Sequence, residues 1–226
     1  NINSLPYINK ERIDNGRFER IKELCLANIA INKDEWNIHE NSWEFKGNEL
    51  IHQKINSIED AVKKFNKYWQ DIFYQLHRNE EELNAIFIEI YDLGDILTAD
   101  VPLDEITFLQ EEIKILNNEL QIDRFTIIQQ FLSYSIGCIL GRYGLNKQGL
   151  ILANQGETIQ DFLKQIPSPS FMPDEDNIIP VLEGEWFIDD IVGRFKMFLK
   201  AAFGEVHFEE NLKYIEDTIG KDIRKY

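Results

Sequence analysis

The strongest constraint on this chain is an apolar repeat that starts at Ile58 and continues to Ile90 without a proline. Its members alternate steps of four and three residues: Ile58, Val62, Phe65, Trp69, Ile72, Leu76, Asn79, Leu83, Ile86 and Ile90. This spacing is typical of a helix with a coiled-coil-like seam. Because Ser57 and Asp60 can form an N-terminal capping box, the sequence predicts one long helix over 57–97. At about 1.5 Å per residue it would span roughly 50 Å.

Asn79 is the one polar member of this seam. A buried amide at such a position can fix the register of the packed helices at a cost in stability. The alternative interpretation is a frayed or exposed turn at 77–80. The sequence does not separate the two.

The remainder of the chain predicts further helices at 17–31, 123–143, 186–203 and 208–219. The second of these is apolar nearly all round, as expected of a buried helix, and Gly137 and Gly141 on it suggest close helix packing. Segment 98–118 predicts either a hairpin or a helical turn, and 150–152 predicts a short strand. The expected fold is mainly α: a long coiled-coil-like helix plus a compact helical domain with minor β.

Three parts are expected along the chain: an N-terminal helix and ordered arm over 1–56, the long helix over 57–97, and a compact mainly helical domain over 98–226 that is truncated at its C-terminus. Trp36 and Trp43 in the arm are predicted packing anchors. Cys25 and Cys138 match no metal or redox spacing and predict reduced core residues of a cytoplasmic protein.

The charge of the chain restricts its function. The sequence holds 40 Asp and Glu against 24 Lys and Arg, a net charge of −16. A self-sufficient nucleic-acid binder needs clustered cations, so any DNA contact must come from local patches. With 43% hydrophobic residues the chain can bury a core, yet it has no apolar run of membrane-spanning length, and no membrane partner is expected.

Motifs for chemistry are missing from the sequence. The glycines match no phosphate-binding loop, and the four histidines match no zinc-site spacing, so neither a catalytic residue nor a metal ligand is predicted. Asp174, Glu175 and Asp176 resemble part of a calcium loop but lack its spaced ligands, which favours a solvated loop. Asp189 and Asp190 are explained by a helix N-terminus.

Several runs of sequence, in their order along the chain, resemble one protein family. They are WEFK at 43–46, HRNEEELN at 77–84, FIEIY at 87–91, LSYSIGC at 132–138, GRY at 141–143, PDEDNIIP at 173–180, WFIDDIVGRF at 186–195 and DIRKY at 222–226. Together they resemble the C-terminal region of the PglX-type adenine-specific DNA methyltransferases of BREX phage-defence systems.

The resemblance implies a piece of a large enzyme that methylates adenine N6 with S-adenosylmethionine. Such enzymes hold the flipped adenine with an Asn/Asp-Pro-Pro-aromatic loop. The nearest run here, Ser4-Leu5-Pro6-Tyr7, lacks both the polar first residue and the first proline. No catalytic or cofactor residue is therefore carried over: S-adenosylmethionine is implied for the parent enzyme and no cofactor for this chain.

We therefore expect a non-catalytic helical region that supports DNA recognition and domain positioning, with DNA bound through the parent enzyme. Arg142, Lys147, Arg194 and Lys196 are the candidate phosphate contacts, although ordinary surface charge or helix-end cations would explain them equally well. Two alternatives stay open. One is an acidic protein-interaction module that docks onto other BREX subunits, and the other is a DNA-mimicking inhibitor suggested by the net charge alone.

Overall fold

A computed structural model describes residues 13–117, 119–182, 184 and 186–226. The run Ser4–Tyr7 lies outside these residues. The described chain is mainly α-helical, as predicted, and its one sheet has two strands. The elements are α1 (Asn15–Asn37), α2 (Glu49–His52), α3 (Ile58–Ile90), β1 (Ile113–Leu116), β2 (Glu119–Ile122), α4 (Arg124–Ile139), α5 (Ile159–Gln165), α6 (Ile191–Phe203) and α7 (Phe208–Ile219). Short 3₁₀ turns lie at Leu103–Glu105, Glu205–His207 and Ile223–Lys225.

The chain divides into two compact units. Unit 1 holds the described residues 13–35 together with Tyr68–Gln110 and Lys114–Gln121, and unit 2 holds Trp36–Lys67, Glu111–Ile113 and Ile122–Tyr226. The three-part division expected from the sequence stays a prediction.

The long helix predicted over 57–97 is present as α3, but it ends at Ile90, seven residues earlier than predicted. Its start is capped as expected, because the backbone N–H of Asp60 donates to the Ser57 hydroxyl at 3.2 Å. The seam is buried at Ile58, Val62, Phe65, Trp69 and Leu76, and it becomes half-buried from Asn79 onward.

In unit 1, α1 runs antiparallel to the second half of α3. Arg20 donates to both carboxylate oxygens of Glu82, at 2.6 and 2.7 Å. Nearer the other end of the pair, the Asn79 amide donates to Oδ1 of Asn28 at 2.8 Å. The helix continues through 77–80, so the frayed-turn interpretation is wrong and Asn79 pairs with a second amide.

Unit 2 is built around α4, α6 and α7, which pack against one another. The ring of Phe131 on α4 lies 6.0 Å from that of Phe198 and 5.7 Å from that of Phe203, centre to centre. Asn211 of α7 is buried and bonds both to the Ile58 N–H and to the Asn56 carbonyl, each at 2.8 Å. The first turn of α3 is thereby fixed within unit 2.

Several local predictions are wrong. Trp36 is 52% exposed and Trp43 fully exposed, so neither is a packing anchor. Cys25 is exposed and is not a core residue, whereas Cys138 is buried as predicted. No strand forms at 150–152 within the described residues, where the N–H groups of Ile151 and Leu152 donate to the carbonyls of Arg142 and Gly141 in the turn after α4.

The two glycines of α4 also differ from the prediction. Gly137 faces the ring of Tyr143, and Gly141 lies beyond the helix with a φ of +76°. They serve the chain's own turn after α4 rather than the packing of two helices. The helix expected at 186–203 begins at Ile191, since the Asp190 carboxylate accepts from the Gly193 N–H at 2.7 Å and caps it there.

Candidate nucleic-acid interface

The turn that follows α4 carries two of the four predicted phosphate contacts. Arg142 and Lys147 are both exposed on it. The Arg142 N–H donates to the Gly137 carbonyl at 2.8 Å, and a backbone bridge between Gly144 and Lys147 closes the loop that follows. Arg142 and Lys147 are therefore exposed close together in the chain, in the turn and loop that follow α4.

The loop rests on a small apolar cluster of Ile151, Phe162 and Ile166. A Cβ atom at Gly144 would lie 2.9 Å from the Cδ1 atoms of Ile151 and Ile166, so a larger residue there would have to displace those side chains. Lys147 donates through Nζ to the amide oxygen of Gln165. Because that acceptor is neutral, the bond holds the ammonium group without cancelling its charge.

Arg142 lies beside an aromatic stack. Its guanidinium carbon lies 5.5 Å from the ring centre of Tyr143, within range of a cation–π contact. Tyr143 stacks on Tyr134, with ring centres 5.1 Å apart and planes 17° from parallel. Burial raises the pKa of both phenols, which keeps them neutral near pH 7.

A second segment of unit 2 lies against this loop. The Gly149 N–H donates to the Lys46 carbonyl at 2.8 Å, which joins the loop to the segment that contains α2. Between them lies a cavity of about 420 Å³. Its lining residues are Ile51, His52, Lys54, Asn56, Tyr134, Gly144, Leu145, Asn146, Lys147, Gln148, Ser170, Ala201 and Ala202.

Arg194 and Lys196 lie on α6 in different surroundings. The Arg194 side chain is only 14% exposed. It donates to the Met172 carbonyl at 2.6 Å and lies 5.3 Å from the centre of the Phe171 ring. These contacts assign Arg194 a packing role, while Lys196 is half-buried. The assignment of all four cations as phosphate contacts stays a prediction.

His52 and Lys54 were not singled out from the sequence. One signal could have directed attention to their neighbours on the loop: residues 124–156 contain Arg124, Arg142 and Lys147 but no Asp or Glu, in a chain with 40 acidic residues. A second signal is visible only in the structure, where Lys54 adopts a left-handed backbone with φ of +53°.

Two further observations bear on chemistry and environment. Among the described residues, no three His, Cys, Asp or Glu side chains gather in a group that could hold a metal ion. In the same part of the chain, no helix is both long and apolar enough to cross a membrane.

Comparison with known proteins shows where the chain's sequence recurs. It is 34% identical over 209 residues to the adenine-specific methyltransferase PglX of Lacticaseibacillus casei, a match that covers 89% of this chain. It is 31% identical over 206 residues to the adenine-specific methyltransferase BrxX of Escherichia coli, covering 88% of this chain. No family profile matches.

The chain spans only 16% and 17% of the lengths of these two relatives. The resemblance recognised from the sequence is confirmed, since both matched proteins are adenine-specific methyltransferases, PglX and BrxX.

Proposed function

We propose that this chain is a non-catalytic, mainly helical region of a BREX-type DNA adenine-N6 methyltransferase, in which it supports DNA recognition and positions neighbouring domains. The observation that carries the proposal is the similarity of nearly the whole chain to about a sixth of two adenine-specific methyltransferases. DNA binding, contact with other BREX subunits and a cytoplasmic location are proposed for the parent enzyme that contains this region.

The non-catalytic role is supported by the sequence and by the fold. No two prolines are adjacent in the chain, so the Asn/Asp-Pro-Pro-aromatic loop that holds a target adenine is missing. Open α/β folds bind cofactors outside the carboxyl ends of parallel strands. The described residues contain a single sheet, and it has only two strands. These residues do not fit S-adenosylmethionine.

The DNA-supporting role rests on how charge is distributed. A strongly acidic protein repels DNA unless cations are gathered locally, because phosphate neutralisation dominates affinity. Arg142 and Lys147 are exposed on one turn within a stretch of 33 residues that has no acidic side chain. We infer that this turn faces a phosphate backbone, with Glu40, which accepts a hydrogen bond from Ser133 of α4, as an acidic side chain beside the same stretch.

The test uses the intact methyltransferase that contains this region. Arg142→Ala and Lys147→Ala should each weaken DNA binding equally for all sequences, and each should reduce the slope of log affinity against log salt by about 1. Lys164→Ala is the matched control, since Lys164 already pairs with Asp161 at 2.8 Å. Unchanged slopes for both variants would remove the phosphate assignment.

The absence of catalysis is tested separately with the chain alone. We expect neither methyl transfer to DNA nor heat of binding when S-adenosylmethionine is titrated into it. Turnover by the isolated chain would refute the non-catalytic role.

A second candidate function is an acidic protein-interaction module that docks onto other BREX subunits. It is favoured by a run of exposed apolar side chains next to α6: Val181 is 77% exposed, Trp186 79% and Ile188 92%. Large exposed apolar patches mark interaction sites. Trp186→Ala should then abolish co-purification of the intact protein with a BREX subunit without changing its DNA affinity.

A further inference from the structure

The cavity between α2 and the turn after α4 differs in charge from the chain around it. Two lysines and a histidine line it, and none of its described lining residues is acidic. Two acidic residues lie next to this wall without being among the lining residues: Glu49, with Oε1 at 3.9 Å from Nδ1 of His52, and Glu40, whose charge helps to raise the pKa of Tyr134. A cationic concavity in a protein of net charge −16 selects for an anionic ligand.

Neutral polar groups complete the lining. The amides of Asn56, Asn146 and Gln148 and the hydroxyl groups of Tyr134 and Ser170 can donate or accept hydrogen bonds. Asn146 and Ser170 also bond to each other, with the Ser170 N–H donating to Oδ1 at 2.7 Å and Nδ2 donating to Oγ at 2.7 Å. The wall is therefore fixed before any ligand arrives.

The shape of the cavity depends on two unusual backbone positions. A Cβ atom on Gly47 would lie 2.8 Å from Nε2 of His52 and 3.2 Å from the Tyr134 hydroxyl, so glycine lets this backbone pass behind both side chains. Lys54 lies two residues after the end of α2 and is one of five non-glycine residues in the left-handed region among those described, a conformation that costs about 1–3 kcal/mol.

The volume is that of a small ligand site. Ligand sites range from about 300 to 1,000 Å³, and 420 Å³ lies in the lower part of that range. Ammonium groups bind phosphate as point charges, and amides can pair with base or sugar edges.

We infer that this cavity binds a single phosphate-bearing nucleotide, with Lys54 and Lys147 holding the phosphate group and Asn146 and Gln148 facing the nucleoside. The inference rests on the proposed function, because a DNA strand held by the parent enzyme would supply that nucleotide. A free nucleotide would present the same chemistry.

The test is an NMR titration of the isotope-labelled chain with 5′-deoxyadenosine monophosphate, with a single-stranded hexanucleotide and with deoxyadenosine, which has no phosphate. We expect the amide signals of Lys54, Asn146 and Lys147 to shift with the first two probes and to stay still with deoxyadenosine. A shift with the hexanucleotide alone identifies a strand as the source, and a shift with the monophosphate alone identifies a free nucleotide.

Charge removal provides the second arm. The double variant Lys54→Gln/Lys147→Gln should weaken binding by about tenfold or more, since a hydrogen bond to a charged group is worth about 1.5–3 kcal/mol. Lys221→Gln, at an exposed position outside the cavity, should leave affinity unchanged. Both variants alter exposed side chains, and an unchanged thermal unfolding midpoint confirms that they fold.

The inference is overturned if deoxyadenosine shifts the same signals equally, if no probe shifts them, or if the double variant binds as tightly as the original chain. Its failure is distinguishable from failure of the proposed function. If no probe binds the cavity but Arg142→Ala still lowers the salt slope of DNA binding, only the cavity inference fails. If the chain binds the monophosphate but the salt slopes of the parent enzyme are unchanged in the Arg142→Ala and Lys147→Ala variants, only the DNA-supporting role fails.

Discussion

Arg224 donates a hydrogen bond from Nη1 to Oδ2 of Asp190 at 2.7 Å, and the same guanidinium nitrogen reaches the carbonyl oxygens of Leu182 and Gly184. The Asp190 side chain is 1% exposed and that of Arg224 14% exposed. Asp190 also caps α6 through Gly193. One ion pair therefore joins the start of α6, the loop before it and the last turn of the described chain.

Replacing Arg224 should lower the stability of the protein. We expect Arg224→Ala to lower the free energy of unfolding by about 2–4 kcal/mol, because it leaves a buried carboxylate without its cation. Urea unfolding at pH 7 measures this. The control is Lys63→Ala, which breaks an exposed pair with Glu59 and should cost less than about 1 kcal/mol. Equal losses in the two variants would contradict the role assigned to Arg224.

The buried carboxyl group of Glu112 in unit 2 should make the stability of the protein decrease at acid pH. Its side chain is fully buried and accepts hydrogen bonds from Nε2 of His39 at 2.7 Å and from the amide of Gln130. Burial alone would raise the pKa of this carboxyl, but the two hydrogen bonds outweigh it and the pKa lies below its ordinary value. The folded state therefore binds this proton less tightly than the unfolded state does.

The sign of the pH effect follows. The stability contributed by ionised Glu112 is present above the unfolded pKa of about 4.3 and is lost as the pH falls through the lower folded value. We expect Glu112→Gln to flatten the decline in unfolding free energy between pH 5 and pH 3, measured by urea unfolding at each pH. The exposed neighbour Glu111→Gln should keep the decline, and a steeper decline in Glu112→Gln would refute the assignment.

The amide pair of Asn28 and Asn79 is suited to a double-mutant cycle. Either single change to Leu leaves one half-buried amide without its partner and should cost about 1 kcal/mol. The double variant should recover most of that loss, because two apolar side chains replace both polar ones. Unfolding free energies of the four proteins give the coupling, and strict additivity would show that the amides do not interact.

The sequence predicted best where periodicity and capping agree. The repeat over α3, the Ser57 cap and the apolar pattern over 208–219 are local signals, and the starts of α3 and of α7 lie where they predict. The start of α6 was predicted five residues too early. Trp186 and Phe187 continue an apolar pattern, but the backbone N–H groups of the helix are satisfied by Asp190.

The candidate site was less predictable because it depends on contacts distant in sequence. Lys147 is a candidate phosphate contact from the sequence, but Lys54 shares a cavity with it through tertiary contacts such as the bond from the Gly149 N–H to the Lys46 carbonyl. Arg194 carried the same charge signal, yet it packs against Phe171. A cation's surroundings are decided by tertiary structure, which local pattern does not encode.

Gly137 gives a prediction that reverses the usual rule for helices. Replacing glycine by alanine inside a helix normally stabilises it by about 1 kcal/mol. Here a Cβ atom would lie 2.5 Å from Cδ2 of Tyr143, whose ring is held between Tyr134 and Phe45. Since that ring cannot move away freely, we expect Gly137→Ala to destabilise the protein by about 1–3 kcal/mol.

Gly94→Ala is the control, because a Cβ atom at that position would enter open space, and it should change stability by less than about 0.5 kcal/mol. Thermal and urea unfolding measure both, and a gain in stability for Gly137→Ala would show that Tyr143 is free to move.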